Sequence, residues 1–250
     1  MKPINHKRIT EISLNFCKDK INAKILEYKN EIIQGSADED ETQLLSRALN
    51  WHFYRQENSP TPKKVKFIFY PTSENIFQKR IKQFQSEKDL KKKYNILGRI
   101  IHHIQDMTTP AHILPIYHGP GLPFYWNKIF IDDYFENFLA KNNNLIEVPE
   151  INLENLEKFE SFWDAYHKTA ETTLSEILKI NLPSEKRPYS KFWKHWTEEE
   201  WDEVSGFGIY GNEHQKFQNY ENDDLPELLE IQKKITDHAI KSTIILLRGL

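Results

Sequence analysis

The stretch HHIQDMTTPAH, residues 102–112, constrains the fold more than any other part of this sequence. Apolar residues precede it at helical spacing, and Pro110 cannot continue a regular helix. His102 and Asp106 are four residues apart, so they share one face of the helix that ends here. His112 follows the proline and can approach the same space from another direction. The stretch predicts either a metal site built across a helix end or a capped helix with satisfied polar groups.

The glycine one turn earlier and the T-P-A-H sequence that follows favour the metal site. Gly98 lies one turn before His102 on the same face and removes bulk beside it, whereas His103 points elsewhere on the helix and is the weaker candidate. Imidazole and carboxylate groups are ordinary zinc ligands. Asp106 has two carboxylate oxygens and could bridge two ions.

The composition predicts an all-α protein with a single domain that spans residues 1–250. Glycine is scarce, valine is rare, and leucine, isoleucine, lysine and glutamate are abundant, which favours helices over sheets. The segments between the helices are interpreted as a turn at 34–41, an extended stretch at 65–71 and a loop rich in proline, glycine and aromatic residues at 113–129. The predicted helices are 5–33 with a break near residues 18–20, 42–54, 73–86, 88–108, 130–142, one within 153–181, and 224–249.

The charge balance favours neither nucleic acid nor membranes as a partner, and the cysteine count excludes a disulfide within the chain. The net charge is −3, with 34 basic and 37 acidic residues, so the whole chain gives no argument for nucleic-acid or membrane binding. The one cysteine cannot form an intrachain disulfide. No run of apolar residues approaches the length that a transmembrane helix needs. The N-terminal sequence MKPINHKRIT lacks the apolar core of a signal peptide, so we expect either a cytoplasmic protein or one whose leader has been removed. We expect a monomer.

Other parts of the chain supply further candidate ligands. His6 lies near the start of the first helix, Asp38 lies in GSADEDE, and His52 lies in NWHFY. Asp132 and Glu136 form a carboxylate pair four residues apart. Each has a plainer interpretation when it is taken alone, because an acidic turn is usually solvated, His52 could be a core histidine, and the acidic pair could form a surface face.

Taken in order, these segments resemble a known family. LGRIIHHIQDMTTPAH resembles the LG…H…GD…QPxH signature of the zinc-dependent phospholipase C and S1–P1 nuclease superfamily. The sequence SAD, followed fourteen residues later by His52, resembles the family's Asp-then-His pair, and DDYFENF resembles its H-x-x-x-E/D helix. His6 resembles one of its N-terminal zinc ligands. The matches run from residue 1 to about residue 138. The resemblance implies an all-helical bundle with three zinc ions at the bottom of a cleft.

The resemblance also implies three sets of ligands, in which one aspartate bridges two ions. The sets are Asp38, His52, His102 and Asp106 for one zinc; His112, Asp132 and Glu136 for a second; and His6, Asp106 and the backbone amine and carbonyl of Met1 for a third.

This chain departs from the family at two of these positions. Asp132 stands where the family usually has histidine, and this harder ligand could favour Mn²⁺ or Mg²⁺ at the second site. Met1 stands where the family usually has a tryptophan that signal cleavage exposes, so the third site needs a free amine at Met1.

The activity that the resemblance implies is hydrolysis of a phosphodiester, with a phospholipid as the expected substrate. Metals at such a site clamp phosphate oxygens and lower the pKa of a bound water. Asp38 would receive the proton of the nucleophile, so Asp38→Asn is expected to keep the fold and lose turnover. The family has tyrosine where this chain has Glu39, and Glu39 could face a cationic headgroup. The aromatic residues of the 113–129 loop, which could contact acyl chains or stack on bases, are Tyr117, Phe124, Tyr125 and Trp126.

Three other functions remain open from the sequence. The substrate could be nucleic acid, as for a single-strand nuclease or a 3′-nucleotidase of the S1–P1 type. The metals could be structural, in a non-catalytic helical binding protein. The histidines could also belong to a helical interaction module without metals.

Overall fold

The structure is a computed structural model that describes residues 1–40, 54, 64–65, 68–69, 73–113, 119–120, 130–131, 134–177, 181–182, 187–188 and 225–250. These residues form an all-helical fold, which confirms the predicted all-α class. The helices are α1 (Pro3–Phe16), α2 (Ala23–Glu27), α3 (Lys29–Asp38), α4 (Ser73–Ser86), α5 (Leu90–Asp106), α6 (Pro110–Ile113), α7 (Tyr134–Lys141), α8 (Phe162–Ile177) and α9 (Leu225–Gly249).

Short elements connect these helices. Single 3₁₀ turns form at Lys18–Lys20, Asn143–Leu145 and Leu153–Asn155. Three antiparallel pairs of two-residue strands are also present: β1 (Lys64–Val65) with β2 (Ile68–Phe69), β3 (Gly119–Pro120) with β4 (Phe130–Ile131), and β5 (Asn181–Leu182) with β6 (Arg187–Pro188). Strands of this length add no sheet layer to the fold.

The helices predicted at 73–86, 88–108 and 224–249 are present with small shifts at their ends, whereas the one predicted at 5–33 is divided into α1, α2 and α3 and the one predicted at 130–142 begins only at Tyr134, after strand β4. The predicted break near residues 18–20 is confirmed, because α1 ends at Phe16 and a 3₁₀ turn follows. The prediction of a turn at 34–41 is wrong in its first half, since α3 continues to Asp38. The predicted helix at 42–54, apart from Tyr54, and most of the loop at 113–129 lie outside the described residues.

The long helix α5 lies at the centre of the fold. Asp89 is its N-cap and accepts a hydrogen bond from the backbone amide of Lys92 at 3.2 Å. The carboxyl-terminal half of α5 is buried on every side, because helices α1, α3, α4, α8 and α9 all contact it. Its apolar side chains join the main core, and this half of the helix is also where His102 and Asp106 lie.

Two glycines let the backbones of α3 and α5 come into direct contact where the helices cross. A Cβ atom at Gly98 would lie 2.8 Å from the Cα of Gly35 and would overlap the carbonyl oxygen of Ile32. A Cβ atom at Gly35 would likewise overlap the carbonyl oxygen of Asn95. Gly98 therefore serves this crossing rather than open space beside His102. The crossing brings the end of α3 beside the histidines of α5.

None of the helices within the described residues combines the length and the apolar character needed to cross a membrane.

Candidate metal centre

Five elements of the fold bring ionisable groups together in one buried place. We call this group the histidine–carboxylate cluster. Its groups come from the first residues of the chain and α1, the second residue after the end of α3, the end of α5, and helices α6 and α7. Its members are the amine of Met1 and the side chains of His6, Asp40, His102, Asp106, His112 and Glu136.

Asp106 lies at the centre of the histidine–carboxylate cluster and is fully buried. Its Oδ1 accepts a hydrogen bond from the amine of Met1 at 3.1 Å and lies 3.3 Å from His6 Nε2. Its Oδ2 lies 3.0 Å from His102 Nε2 and 3.5 Å from His112 Nδ1. The two oxygens therefore face two different sets of nitrogens, which is the arrangement that a bridging carboxylate requires.

The turn after α5 directs His112 toward Asp106. Thr108 and Thr109 close this turn through backbone hydrogen bonds to Gln105 and Asp106. Pro110 then begins α6, at the position where its missing N–H costs least and its fixed φ suits a helix. His112 is consequently two residues into a new helix, which the turn separates from α5.

Glu136 of α7 completes the other side of the cluster. Its Oε1 lies 3.0 Å from His112 Nε2 and accepts a hydrogen bond from the Met1 amine at 2.7 Å. Both the amine and the carboxylate are nearly inaccessible to solvent. The cluster thus contains imidazole, carboxylate and amine donors within one buried volume.

Hydrogen bonds outside the cluster orient two of its histidines. His102 Nδ1 lies 2.8 Å from the carbonyl oxygen of Ser36, one of the last four carbonyls of α3, which have no partner within the helix. His6 Nδ1 lies 2.8 Å from Gln105 Oε1. The rings of His6 and His102 stack with their centroids 4.0 Å apart. In both residues Nε2 is the nitrogen that faces the carboxylates.

Among the described residues outside α5, Asp40 is a carboxylate that lies near both stacked histidines. Its Oδ1 lies 3.8 Å from His102 Nε2, and its Oδ2 lies 4.0 Å from His6 Nε2. Within the described residues, Asp40 Oδ2 and His6 Nε2 are buried without a hydrogen-bond partner. Buried polar atoms are rarely left in this state. Because His6, Asp40 and His102 offer three donor atoms close together, a metal ion fits this position.

Asp38, which the sequence places among the zinc ligands, points away from the cluster. Its oxygens accept hydrogen bonds from Gln34 Nε2 at 2.6 Å and Asn95 Nδ2 at 2.7 Å, and Arg99 lies 3.9 Å away. Asp38 is still helical, so Asp40, two residues farther on, is turned by roughly 200° from it. In the structure the carboxylate of this acidic run that lies near His6 and His102 is therefore that of Asp40 and not that of Asp38.

Glu39 lies between two arginines. It is fully buried and accepts hydrogen bonds from Arg80 at 2.8 Å and from Arg99 at 2.9 Å, while His103 Nε2 lies 3.4 Å away. Burial alone would raise the pKa of Glu39, but His103 and Arg80 hold this pKa far below its ordinary value. The suggestion that Glu39 contacts a cationic headgroup is corrected, because two arginines already satisfy its charge. His103 lies on this side of α5, outside the cluster.

The carboxylates of the cluster control the charge on its nitrogens. Burial would lower the pKa of the Met1 amine, but Asp106, Glu136 and Asp40 raise it to about 11. Burial would likewise lower the pKa of His102, but Asp106 and Asp40 raise it to about 9. The pKa of His6 is lowered by burial and by the neighbouring charge of His102. A metal that binds the amine or His102 must displace a proton from it.

Several predicted site residues lie outside the described part of the chain. They are His52 and Asp132 of the implied ligand sets, and Tyr117, Phe124, Tyr125 and Trp126 of the aromatic loop. Their roles stay predictions.

Three residues near the cluster were not singled out from the sequence. Asp40 is the third acid of ADED, and only the end point of α3 distinguishes it from its neighbours. Gln105 contacts His6 from within HHIQD. The backbone amide of Tyr54 donates to the carbonyl of His112 at 2.7 Å, and its hydroxyl lies 3.1 Å from His167 Nδ1. No sequence spacing marks Tyr54 as a neighbour of His112.

No model of a known protein family matches this chain, and no curated protein shows significant sequence similarity to it. The likeness to the phospholipase C and S1–P1 nuclease superfamily rests on the order of the short motifs alone.

Proposed function

We propose that this protein is a metal-dependent phosphodiester hydrolase whose active site is the histidine–carboxylate cluster. The observation that carries the proposal is the convergence of three imidazoles, three carboxylates and an amine on one buried site, with Asp106 between two sets of nitrogens. So many ionisable groups would destabilise an ordinary helical core, because each one loses hydration when it is buried. Bound divalent cations would compensate this charge.

The donor set suits zinc, which binds imidazole nitrogen and carboxylate oxygen and is the metal that the motif order implies. The chemistry that zinc supplies at such a site is polarisation of phosphate oxygens and acidification of a water molecule. Asp106, with one oxygen on each side, would hold two ions at a fixed separation. His112 and Glu136 would hold the side of the site that lies toward α7.

Asp40 takes the role that the sequence assigns to Asp38. Its side chain is 15% exposed whereas that of Asp106 is fully buried, so Asp40 lies at the rim of the cluster. A carboxylate at this rim can hold a metal together with His6 and His102, or it can accept a proton from an attacking water. Asp38 is not proposed for either role, because its oxygens accept hydrogen bonds from Gln34 and Asn95 instead of facing the histidines.

The substrate that we propose is a phospholipid, on the strength of the motif order. The net charge of −3 gives no field that would attract a long polyanion such as single-stranded nucleic acid. Nucleic acid is therefore the comparison substrate in the test.

The experiment compares two variants that change the same residue type at neighbouring positions. Purified protein is stripped with chelator, reloaded with zinc chloride and assayed for turnover of bis-p-nitrophenyl phosphate. We expect Asp40→Asn to lose about 100-fold in turnover, the scale of an essential proton acceptor or ligand. Asp38→Asn, the matched control, is expected to stay within about threefold of the unchanged protein, because its side chain faces away from the cluster.

The same preparation separates the competing functions. Phosphatidylcholine vesicles, single-stranded DNA, RNA and a 3′-nucleotide are compared as substrates, and cleavage of nucleic acid alone would replace the phospholipid proposal. Zinc binding without turnover of any phosphodiester would make the cluster structural. Less than one equivalent of bound zinc, with the same melting temperature in chelator, would refute the metal site. Full turnover by metal-loaded Asp40→Asn would remove Asp40 from the mechanism.

A further inference from the structure

We infer that Gln105 is a positioning residue that sets the tautomer of His6 from outside the histidine–carboxylate cluster. This inference rests on the proposed function for its consequence, metal binding, but not for its geometry. Gln105 is fully buried on α5, between α1 and α9. The family signature has glycine immediately before the central aspartate, so Gln105 is no part of the resemblance.

The orientation of the Gln105 amide follows from its partners. Thr243 of α9 donates its only hydroxyl hydrogen to the carbonyl of Ala239 at 2.7 Å. Its Oγ1, 3.2 Å from Gln105, can therefore only accept, and the group that faces it must be the amide nitrogen Nε2. The same Nε2 donates to Thr10 Oγ1 of α1 at 3.0 Å. The oxygen Oε1 is left to face His6.

The amide orientation then decides which nitrogen of His6 carries hydrogen. Gln105 Oε1 lies 2.8 Å from His6 Nδ1, and an amide oxygen only accepts hydrogen bonds. Nδ1 must therefore be the protonated nitrogen. A neutral imidazole has one N–H, so Nε2 presents its lone pair to Asp40 and Asp106. This is the tautomer that can bind a metal from the cluster side.

The alternative tautomer of His6 has its hydrogen on Nε2 instead of Nδ1. If Nε2 carried the hydrogen, it would point toward Asp106 Oδ1, 3.3 Å away. That hydrogen bond is not formed in the structure, where His6 Nε2 has no hydrogen-bond partner within the described residues. The acceptor supplied by Gln105 is what holds the ring in the other state. Loss of such an outer partner typically costs a metal site 10- to 100-fold in affinity.

The test reads the tautomer directly by long-range ¹H–¹⁵N NMR of ¹⁵N-labelled, chelator-treated protein at pH 8, with His6→Gln used to assign the signals. We expect the Nδ1–H form of His6 in the unchanged protein. Gln105→Leu is expected to switch His6 to the Nε2–H form and to raise the zinc dissociation constant at least tenfold. Gln105→Glu keeps an acceptor at this position, so it is expected to keep the tautomer and to bind zinc within about threefold of the unchanged protein.

Gln232→Leu is the matched control, because Gln232 is also buried but donates to the carbonyl of Asn142, away from His6. It is expected to leave the tautomer and the zinc affinity unchanged. An Nε2–H tautomer in the unchanged protein, or Gln105→Leu with an unaltered tautomer, would overturn the inference. If Gln105→Leu does not fold, loss of the Nδ1–H form in Gln105→Glu overturns it instead. Absence of zinc binding in every variant would refute the proposed metal site. The tautomer measured by NMR would then decide alone whether Gln105 sets the tautomer of His6.

Discussion

Three consecutive acidic residues at the end of α3 have three different environments. Asp38 is still helical and bonds to Asn95 on the neighbouring helix. Glu39 is turned by about 100° and lies buried between Arg80 and Arg99. Asp40 is turned by about 100° again and reaches the two stacked histidines. Each carboxylate therefore has a separate task, which is set by its angle around the helix axis.

The middle acid, Glu39, is expected to stabilise the fold. Because Glu39 is fully buried, Glu39→Gln removes the anion between Arg80 and Arg99, whose side chains are each less than one-fifth exposed, although Asp38 stays 3.9 Å from Arg99. Removing one partner of a buried ion pair costs about 3 kcal/mol. We therefore expect the free energy of unfolding, measured by urea titration, to fall by about this amount.

The exposed acid Glu147 provides the control for this measurement. Glu147→Gln is expected to change the free energy of unfolding by less than about 0.5 kcal/mol, as surface substitutions usually do. A Glu39→Gln protein as stable as the control would show that the arginines do not depend on Glu39.

At the scale of elements, the crossing of α3 and α5 sets the geometry of the cluster. His102 lies one turn after Gly98 on α5, and its Nδ1 reaches the Ser36 carbonyl on α3. This hydrogen bond needs the two backbones as close as the glycines allow. Any side chain at Gly98 would push α3 outward and take both Ser36 and Asp40 away from the histidines.

Gly98→Ala is therefore expected to lower both stability and zinc affinity. The added Cβ would overlap the backbone of Ile32, which cannot rotate aside as a side chain can. Overpacking of this kind costs about 3 kcal/mol in the free energy of unfolding. Gly249→Ala is the control, because the nearest atom to its Cβ is a carbonyl oxygen 3.9 Å away. Its stability is expected to stay within about 1 kcal/mol, and equal stability of the two variants would contradict the close crossing.

The same elements show what the sequence could and could not predict. Helices α4, α5 and α9 were predictable to within about two residues, because one apolar face of each packs on the core and leaves a regular spacing in the sequence. The end of α3 was not, since Gly35 and Ser36 read as turn residues. Gly35 is there to admit α5, and a contact between distant segments leaves no local pattern.

The residues of the candidate site likewise fall into those that the sequence could predict and those that it could not. His102, Asp106 and His112 could be grouped from spacing alone, because they lie at the end of one helix and just beyond the turn that follows it. The choice of Asp40 over Asp38 could not, because it depends on the residue at which α3 ends. Gln105 likewise acquires its role only when α1 and α9 supply Thr10 and Thr243 as its partners.

At the scale of the whole molecule, the histidine–carboxylate cluster joins parts of the chain that are far apart in sequence. The Met1 amine contacts Asp106 and Glu136, which are 105 and 135 residues away along the chain. Asp40 and His112 add the end of α3 and the helix α6. The three carboxylates of the cluster face the protonated Met1 amine and His102, whose pKa values they raise to about 11 and about 9, so two positive charges balance three negative ones and bound divalent cations would complete the neutralisation.

Zinc is therefore expected to stabilise the whole fold rather than one loop. A ligand that binds only the folded chain adds about 2.7 kcal/mol to the free energy of unfolding when it is present at 100 times its dissociation constant. We expect this gain in urea unfolding followed by circular dichroism, and we expect chelator to abolish it. Asp40→Asn should reduce the gain, and calcium, which prefers six to eight oxygen ligands, should not replace zinc. Unfolding curves that coincide in zinc and in chelator would show that the cluster is held by its own hydrogen bonds and ion pairs, and the proposed hydrolase would lose its metal centre.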